Sequence, residues 1–304
     1  MRSKKTLSSI FVLLVFSFLF WKIFSDFDQV KNVNWQLSKK NSVLLLIVLL
    51  AGPFVNALSW HLYTKALGGG INLIDNIRIW TLSNASRFVP GSIWQYAGRV
   101  YMLSQKGVSK TFTSTALLLE ALFNIGIAGV IVLFALRLFP LETPAFMQKS
   151  LGPLVLLTFT VLIFFTGSRI KVLEGVIKQT LKSDEIKLNK IQIRWVPAIL
   201  LSVSVQFILT GLALWLVAMG LGIETQSSIF SFVGIYAASW LVGYLAFLAP
   251  SGLGIREASI AGLMSLYAPL ALGSLIAILF RLATLVSEAI VVAVIFVLTR
   301  KKSP

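Results

Sequence analysis

The chain has 304 residues, of which 57% are hydrophobic and only 12% are charged. Soluble domains carry about 25% charged residues, so this composition predicts a polytopic membrane protein in which residues 1–304 form a single membrane domain. The absence of cysteine excludes disulfides and cysteine-ligated metals, and the single histidine excludes a multi-histidine metal site. The formal net charge of +16 is spread over short loops between apolar runs. That distribution is typical of topology signals and not of nucleic-acid binding.

Long apolar runs follow one another along the chain, and a helix needs about 20 residues to cross a bilayer. We expect an all-α fold with apolar helices near residues 8–25, 43–64, 112–138, 151–168, 197–219, 229–249 and 270–298. The run at 8–25 follows a basic start, Met1-Arg-Ser-Lys-Lys5, and no small-residue cleavage site comes after it. We therefore interpret it as an uncleaved first span.

Two breaks that contain proline and glycine interrupt the apolar pattern. They are Pro90-Gly91, between residues 76–90 and 92–106, and Pro250-Ser251-Gly252, between residues 229–249 and 252–268. The segments around the first break are too short and polar to span comfortably, so we predict two re-entrant helical hairpins besides six full spans. Irregular backbone at this depth is tolerated only where it is buried in protein or lines a wet cavity. Eight ordinary spans remain the alternative.

The distribution of the basic residues predicts which loops lie on the cytoplasmic side of the membrane. With the N-terminus in the cytoplasm, most of them fall on the inside, including Arg99 and those of an amphipathic loop at 169–195. This excess predicts a multi-pass protein of the cytoplasmic membrane with both termini in the cytoplasm. The hairpins then enter from opposite sides, as in an inverted repeat of half one, about 40–168, and half two, about 196–300.

Few ionisable residues remain at membrane depth once the loops are set aside. They are Arg87, Arg256, Arg281, Glu120, Glu257 and Glu288. Arginine suits a phosphate because its planar fork donates two hydrogen bonds and stays charged. A helix that restarts after a proline-glycine break also presents free N–H groups to an anion. Two interpretations remain open, namely ion pairs that fix helix register and a polar cavity for an anionic headgroup.

Particular pairings follow from the spacing of these residues. Arg281 and Glu288 are seven apart and share a helix face. We expect Glu257 to hold or tune the adjacent Arg256. We also expect Glu120 to face whatever Arg87 approaches.

Polar and aromatic residues near the first break are further candidates for headgroup contact, and Trp94 and Gln95 are chief among them. No acidic pair, histidine–carboxylate set, Ser-His-Asp arrangement or phosphate-binding loop is recognisable in the sequence. We therefore predict no catalytic residues, no metal site and no cofactor. The sequence favours a protein that is not an enzyme.

The residues around both breaks resemble a known family, the lysylphosphatidylglycerol synthase transmembrane, or flippase-like, family. The similar segments are Ala249-Pro-Ser-Gly-Leu-Gly-Ile-Arg-Glu-Ala258, Ala277-Ile-Leu-Phe-Arg281, Arg87-Phe-Val-Pro-Gly-Ser92, Lys106-Gly-Val108 and Leu117-Leu-Leu-Glu120. The family usually has Pro-Gly-Gly at each break. Here Gly91 is followed by Ser92, and Ser251 replaces the first glycine of the second break.

The resemblance implies a lipid-translocating membrane domain, and we expect a stand-alone member without the soluble synthase domain. The function would be the flipping of an anionic lipid or lipid-linked sugar headgroup. The arginines would neutralise its phosphate, and the glutamates would pair with them or engage a cationic aminoacyl group. A glycosyltransferase or synthase partner could dock on 169–195. The alternative is an integral-membrane enzyme or accessory subunit that acts on polyprenyl-phosphate-linked sugars or aminoacyl phospholipid.

Overall fold

The computed structural model describes residues 17–30, 35–88, 93–138, 192–223, 229–246 and 252–300. These ranges are predominantly helical and contain no strand. After a helical stretch within residues 17–30, eight helices follow: α1 Lys39–Ala66, α2 Leu73–Ala85, α3 Trp94–Ser104, α4 Lys110–Leu138, α5 Val196–Gly220, α6 Ile229–Leu245, α7 Ile255–Met264 and α8 Leu270–Arg300. Short 3₁₀ turns at Ser86–Phe88 and Ile193–Trp195 follow α2 and precede α5.

Within the described ranges, four helices are long and apolar enough to cross a membrane. They are Lys39–Ala66, Lys110–Leu136, Ile193–Gly220 and Leu270–Thr299. They coincide with the spans predicted at 43–64, 112–138, 197–219 and 270–298, which confirms an all-α polytopic membrane protein. The predicted span at 151–168, most of the loop 169–195 and the first half of the span at 8–25 lie outside the described residues.

The helices that flank the two breaks are shorter. α2 has 13 residues and α3 has 11, so at 1.5 Å per residue they are about 20 and 16 Å long. α6 has 17 residues and α7 has 10, or about 26 and 15 Å. Three of the four therefore fall well short of the roughly 30 Å of hydrocarbon. These lengths suit two hairpins, and re-entry from opposite sides stays a prediction.

The breaks themselves are only partly described, because Pro90, Gly91, Pro250 and Ser251 lie outside the described residues. Gly252, at the end of the second break, has a φ of +67°. A Cβ at this position would lie 2.8 Å from the carbonyl oxygen of Gly243 in α6. Glycine is therefore required there by both the backbone conformation and the close approach of α6.

The outer end of the α2–α3 pair is fixed by polar contacts. The side chain of Asn72 caps α2 by accepting the backbone N–H of Asp75 at 2.8 Å. The ammonium group of Lys106, just beyond α3, pairs with the Asp75 carboxylate at 2.6 Å. These contacts hold the far ends of α2 and α3 side by side, so their inner ends converge on the first break.

The eight helices form two groups of four, α1–α4 and α5–α8, each ordered long, short, short, long. α1 packs extensively on α5, α4 packs on α6, and α8 packs on α2 in return. Within the groups, α3 contacts α4 as α7 contacts α8. Reciprocal contacts of this kind arise between equivalent units related by an approximate two-fold axis. An inverted repeat would give this pattern, and the inversion itself stays a prediction.

Small residues allow the close contacts between these helices. A Cβ on Gly211 of α5 would lie 2.4 Å from the Cα of Val233 in α6. Hydroxyl groups add to the packing, since Ser59 of α1 donates to Ser202 of α5 at 3.0 Å. Small side chains and interhelical hydrogen bonds are the usual means by which membrane helices associate.

Candidate functional site

A cavity of about 440 Å³ lies among the helices, and all eight of them contribute to its lining. Sites for small ligands range from roughly 300 to 1,000 Å³, so this cavity can hold a headgroup. Its charged lining comprises Arg87, Arg99, Arg256, Arg281, Glu120, Glu257 and Glu288. Its neutral polar lining includes Asn84, Gln95, Tyr96, Asn124, Gln206, Trp240 and Tyr244. All six charged residues that the sequence singled out therefore line one cavity.

The first ion pair lies within the group α1–α4. Arg99 of α3 is only 2% exposed, and its Nη1 donates to Oε2 of Glu120 on α4 at 2.5 Å. Its guanidinium carbon lies 4.4 Å from the ring centroid of Trp60 and 5.8 Å from that of Trp80. Trp80 Nε1 also donates to Oε1 of Glu120 at 3.3 Å. Cation–π contacts and hydrogen bonds thus hold this pair from several sides.

The second ion pair lies within the group α5–α8. Glu257 of α7 is 1% exposed and lies 3.1 Å from Nε of Arg281 on α8. The contact is a charge pair whose geometry is not that of an aligned hydrogen bond. The Glu257 carboxylate also accepts the backbone N–H of Gly254 at 2.6 Å. The N–H of Gly254, the residue before α7, is therefore taken up by a carboxylate of the same chain. That the first N–H groups of α7 itself are open to an anion stays a prediction.

A third ion pair joins the two groups. Arg87, just beyond α2, pairs through Nη2 with Oε2 of Glu288 on α8. Both side chains are about one-fifth exposed, so water or a headgroup can reach them. Among the described residues, this is the ion pair that crosses from one group of four helices to the other.

Arg256 differs from the other three arginines of the cavity. Within the described residues it forms no ion pair, and its buried Nε has no hydrogen-bond partner there. Gly243 of α6 leaves room for it, because a Cβ on that glycine would lie 3.3 Å from Arg256 Nε. The described lining, with four arginines and three glutamates, has a net charge of +1. Arg256 is the residue that supplies the surplus.

Two of the predicted pairings are wrong. Glu257 pairs with Arg281 and not with the adjacent Arg256, because consecutive side chains on a helix diverge by about 100°. Glu120 forms its ion pair with Arg99, whereas Arg87 forms its ion pair with Glu288. The expectation that Arg281 and Glu288 share a face agrees with their placement, since both line the cavity.

Sequence reasoning missed Arg99, which it counted among the cytoplasmic loop charges. The signal was present in the spacing, because Gln95 and Arg99 are four apart on α3 and both line the cavity. Trp94, which the sequence placed beside Gln95 as a headgroup contact, is 44% exposed and is not among the lining residues. Gly252 lies at the cavity wall, as its place in the second break predicts.

The surplus positive charge of the described lining suits an anion. Arginine side chains donate forked, charge-assisted hydrogen bonds to phosphate and keep their charge. Within the described residues, no group of three or more histidine, cysteine, aspartate or glutamate side chains could hold a metal ion. The described lining also contains no histidine, cysteine or lysine.

The comparison with known families agrees with these features. The family model described as the lysylphosphatidylglycerol synthase TM region matches residues 7–291 of the 304. No curated protein matches the chain. The match extends over all eight described helices except the last residues of α8, and it includes both breaks and every charged residue of the cavity. The chain therefore belongs to the family of the lysylphosphatidylglycerol synthase transmembrane region.

Proposed function

We propose that this protein translocates an anionic lipid across the cytoplasmic membrane. The observation that carries the proposal is the cavity itself, which has surplus positive charge and is enclosed by helices long enough to span a bilayer. Charge at membrane depth is costly, so a set of intramembrane arginines and glutamates points to a functional site. The family relationship supports a role with phospholipids.

The headgroup would cross the membrane through this cavity while its acyl chains stay in lipid. A phosphate that leaves water loses its hydration, and buried arginines replace the lost hydrogen bonds with charge-assisted ones. Arg256 is placed to make the first of these, because its charge has no partner among the described residues. Arginine is better suited than lysine to this role, since its fork binds two phosphate oxygens at once.

The ion pair of Arg87 with Glu288 would act as a gate between the two groups of helices. An incoming phosphate competes with Glu288 for Arg87, and release of that pair allows the groups to rock against each other. Rocking of two repeats around a fixed midplane site is the usual route to alternating access. We include in the proposal two hairpins that enter from opposite sides and two cytoplasmic termini.

Translocation can be tested with purified protein in liposomes that contain a fluorescent phosphatidylglycerol. The fraction accessible to a membrane-impermeant quencher is followed over time, and the lipid is recovered for mass analysis. We expect faster exposure with unchanged mass, and loss of that activity in Arg256→Gln. Arg194→Gln is the matched control, because Arg194 is exposed and lies outside the cavity.

Two results would contradict the proposal. A changed lipid mass would place the protein among the enzymes that act on aminoacyl phospholipid or lipid-linked sugars. No acceleration for any anionic lipid, even with an imposed membrane potential, would exclude translocation by this protein alone.

The orientation has a separate test, which is clean because the chain contains no cysteine. Thr180→Cys should resist an impermeant thiol reagent added to intact cells, whereas Lys149→Cys should be labelled. Labelling of position 180 from outside would reverse the proposed topology while leaving the cavity argument unchanged.

A further inference from the structure

Every glutamate that the structure places in the cavity already has an arginine partner. The three pairs are Arg87 with Glu288, Arg99 with Glu120, and Arg281 with Glu257. An ammonium group entering the cavity would have to compete with a guanidinium for one of these carboxylates, whose charge is already balanced. The described lining therefore offers no free carboxylate to an amine-bearing headgroup.

The charge that does remain is a single positive one, that of Arg256. A phosphodiester carries one negative charge and would neutralise it. A phosphomonoester carries about 1.5 to 2 negative charges at neutral pH, so it would leave the cavity with a net negative charge. Charge balance thus favours a phosphodiester over a phosphomonoester.

A separate observation concerns Gln206 of α5. Its side chain is only 6% exposed, it lines the cavity, and its Oε1 has no hydrogen-bond partner within the part of the chain that the structure describes. Buried polar groups in proteins are nearly always hydrogen-bonded, so an amide oxygen without a partner here indicates that a ligand supplies one. A hydroxyl group suits this place, because it can donate to the amide oxygen and accept from the amide nitrogen.

Building on the translocation proposed above, we infer that the substrate headgroup is an amine-free phosphodiester that carries hydroxyl groups, of the glycerol or sugar-alcohol type. Arg256 binds the phosphate, and Gln206 accepts a hydroxyl of the alcohol. While the pair of Arg87 with Glu288 is closed, the three ion pairs leave no carboxylate without a partner for an amine. A lysyl ester of the same lipid, which adds two ammonium groups, is then a poorer ligand than its parent.

The test is a binding series with the full chain in detergent, read as dissociation constants by native mass spectrometry. The lipids share the same short acyl chains and differ in headgroup: phosphatidylglycerol, its lysyl ester, phosphatidylmethanol and phosphatidic acid. Phosphatidylmethanol keeps the phosphodiester and lacks the hydroxyls. Deacylated glycerophosphoglycerol is included to separate recognition of a lipid from recognition of a free phosphodiester.

We expect phosphatidylglycerol to bind about 3- to 10-fold tighter than phosphatidylmethanol, as one or two neutral hydrogen bonds would give. It should also bind at least as tightly as phosphatidic acid and about tenfold tighter than the lysyl ester. Gln206→Leu should abolish the difference between phosphatidylglycerol and phosphatidylmethanol while leaving phosphatidylmethanol binding unchanged. Arg256→Gln should weaken all the phosphodiesters by about tenfold or more.

Equal or tighter binding of the lysyl ester by the unmodified protein would overturn the inference, and so would equal binding of phosphatidylglycerol and phosphatidylmethanol. If the deacylated phosphodiester bound as tightly as the lipid, the ligand would be a soluble phosphodiester, and the inference of a lipid substrate would be wrong. The expected affinity order without translocation in liposomes would leave the substrate class standing and reject only the proposed transport.

Discussion

The two groups of four helices carry the same kind of ion pair with the signs reversed. In α1–α4 the short helix α3 supplies the cation, Arg99, and the long helix α4 supplies the anion, Glu120. In α5–α8 the short helix α7 supplies the anion, Glu257, and the long helix α8 supplies the cation, Arg281. Each pair ties a short helix next to a break to the long helix that follows it. The anchoring is the same whether the short helix carries the arginine or the glutamate. The fold therefore needs an ion pair between these two helices, and either helix can supply the cation.

The surroundings of the two pairs differ more than the pairs themselves. The guanidinium of Arg99 is enclosed by two tryptophan rings and a carboxylate, so few of its donors are free for a ligand. In α5–α8 the adjacent Arg256 adds a charge that no described carboxylate neutralises. We therefore expect the pair of Arg99 with Glu120 mainly to stabilise the fold, and Arg256 to supply the charge that the proposed lipid binding needs.

The largest expected loss of stability follows from removing one partner of the ion pair between Arg99 and Glu120. Arg99→Ala removes a buried guanidinium and leaves the partly buried Glu120 without its partner. Breaking a buried pair costs about 3–5 kcal/mol, and this pair, with one buried member, should cost more than the partly exposed pair of Arg87 with Glu288. We expect a large drop in the thermal unfolding midpoint of the purified protein and a poor yield of folded protein.

Arg256→Ala is the matched control, because it removes an arginine from the same cavity that has no described partner. Its midpoint should stay close to that of the unmodified protein or rise. The double variant Arg99→Met with Glu120→Leu should recover much of the lost stability, since an apolar pair avoids the unpaired charge. If Arg99→Ala and Arg256→Ala were equally stable, the proposed division between stability and binding would be wrong.

The sequence predicts most of this fold, because hydropathy and helix breaks depend on local composition. Four apolar runs proved to be long helices, and the segments beside the breaks proved to be short ones. The reciprocal packing of α4 on α6 and of α8 on α2 was not predictable from the residues, because contacts between helices far apart in the chain leave little trace in local composition.

The membership of the site was largely predictable, whereas the pairing within it was not. Six charged residues at membrane depth stand out against an apolar background, and all six line the cavity. Which arginine meets which glutamate depends on helix rotation and on chain segments far apart in sequence. Arg99 was missed because a charge near the end of a short polar helix has the local signature of a loop residue.

A smaller loss of stability is expected when the ion pair that joins the two groups of helices is broken. Arg87 and Glu288 are partly exposed, so Arg87→Gln should cost roughly 1–2 kcal/mol, between the values for surface and buried pairs. Its effect on translocation should be larger than its effect on stability, because the pair must open for the groups to move. The thermal midpoint and the lipid exposure rate of the same preparation measure the two effects.

Cross-linking tests directly whether the two groups of helices must separate at Arg87 and Glu288. Introduced cysteines react specifically, since the chain has no cysteine of its own. Arg87→Cys with Glu288→Cys, bridged by a short bifunctional thiol reagent, should stop translocation, and reduction of a cleavable bridge should restore it. Each single variant treated with the same reagent serves as the control. Normal translocation by the bridged protein would show that the two groups do not separate at this point.

The smallest expected loss of stability concerns the pair of Asp75 and Lys106, which joins the ends of α2 and α3 that lie farthest from the first break. The hydrogen bond from Lys106, assisted by its charge and by Asn72, lowers the pKa of the Asp75 carboxyl. A carboxyl whose pKa is lowered on folding stabilises the protein above its unfolded pKa of about 3.9, and this contribution is lost as pH falls through the folded value. Lys106 is 42% exposed, so Asp75→Asn should cost less than about 1 kcal/mol at pH 7.

The difference between Asp75→Asn and the unmodified protein should begin to shrink as the pH falls below 4, because the native carboxyl becomes neutral only as the pH reaches its lowered pKa. Thermal midpoints of both proteins between pH 7 and pH 3 measure this, with Lys106→Gln as the partner control. Because the pair lies outside the cavity, both variants should keep the lipid exposure rate of the unmodified protein. A stability difference that persisted at low pH would show that Asp75 acts through its neutral side chain in the cap with Asn72. The ionic anchoring of α1–α4 would then rest on Arg99 and Glu120, as that of α5–α8 rests on Glu257 and Arg281.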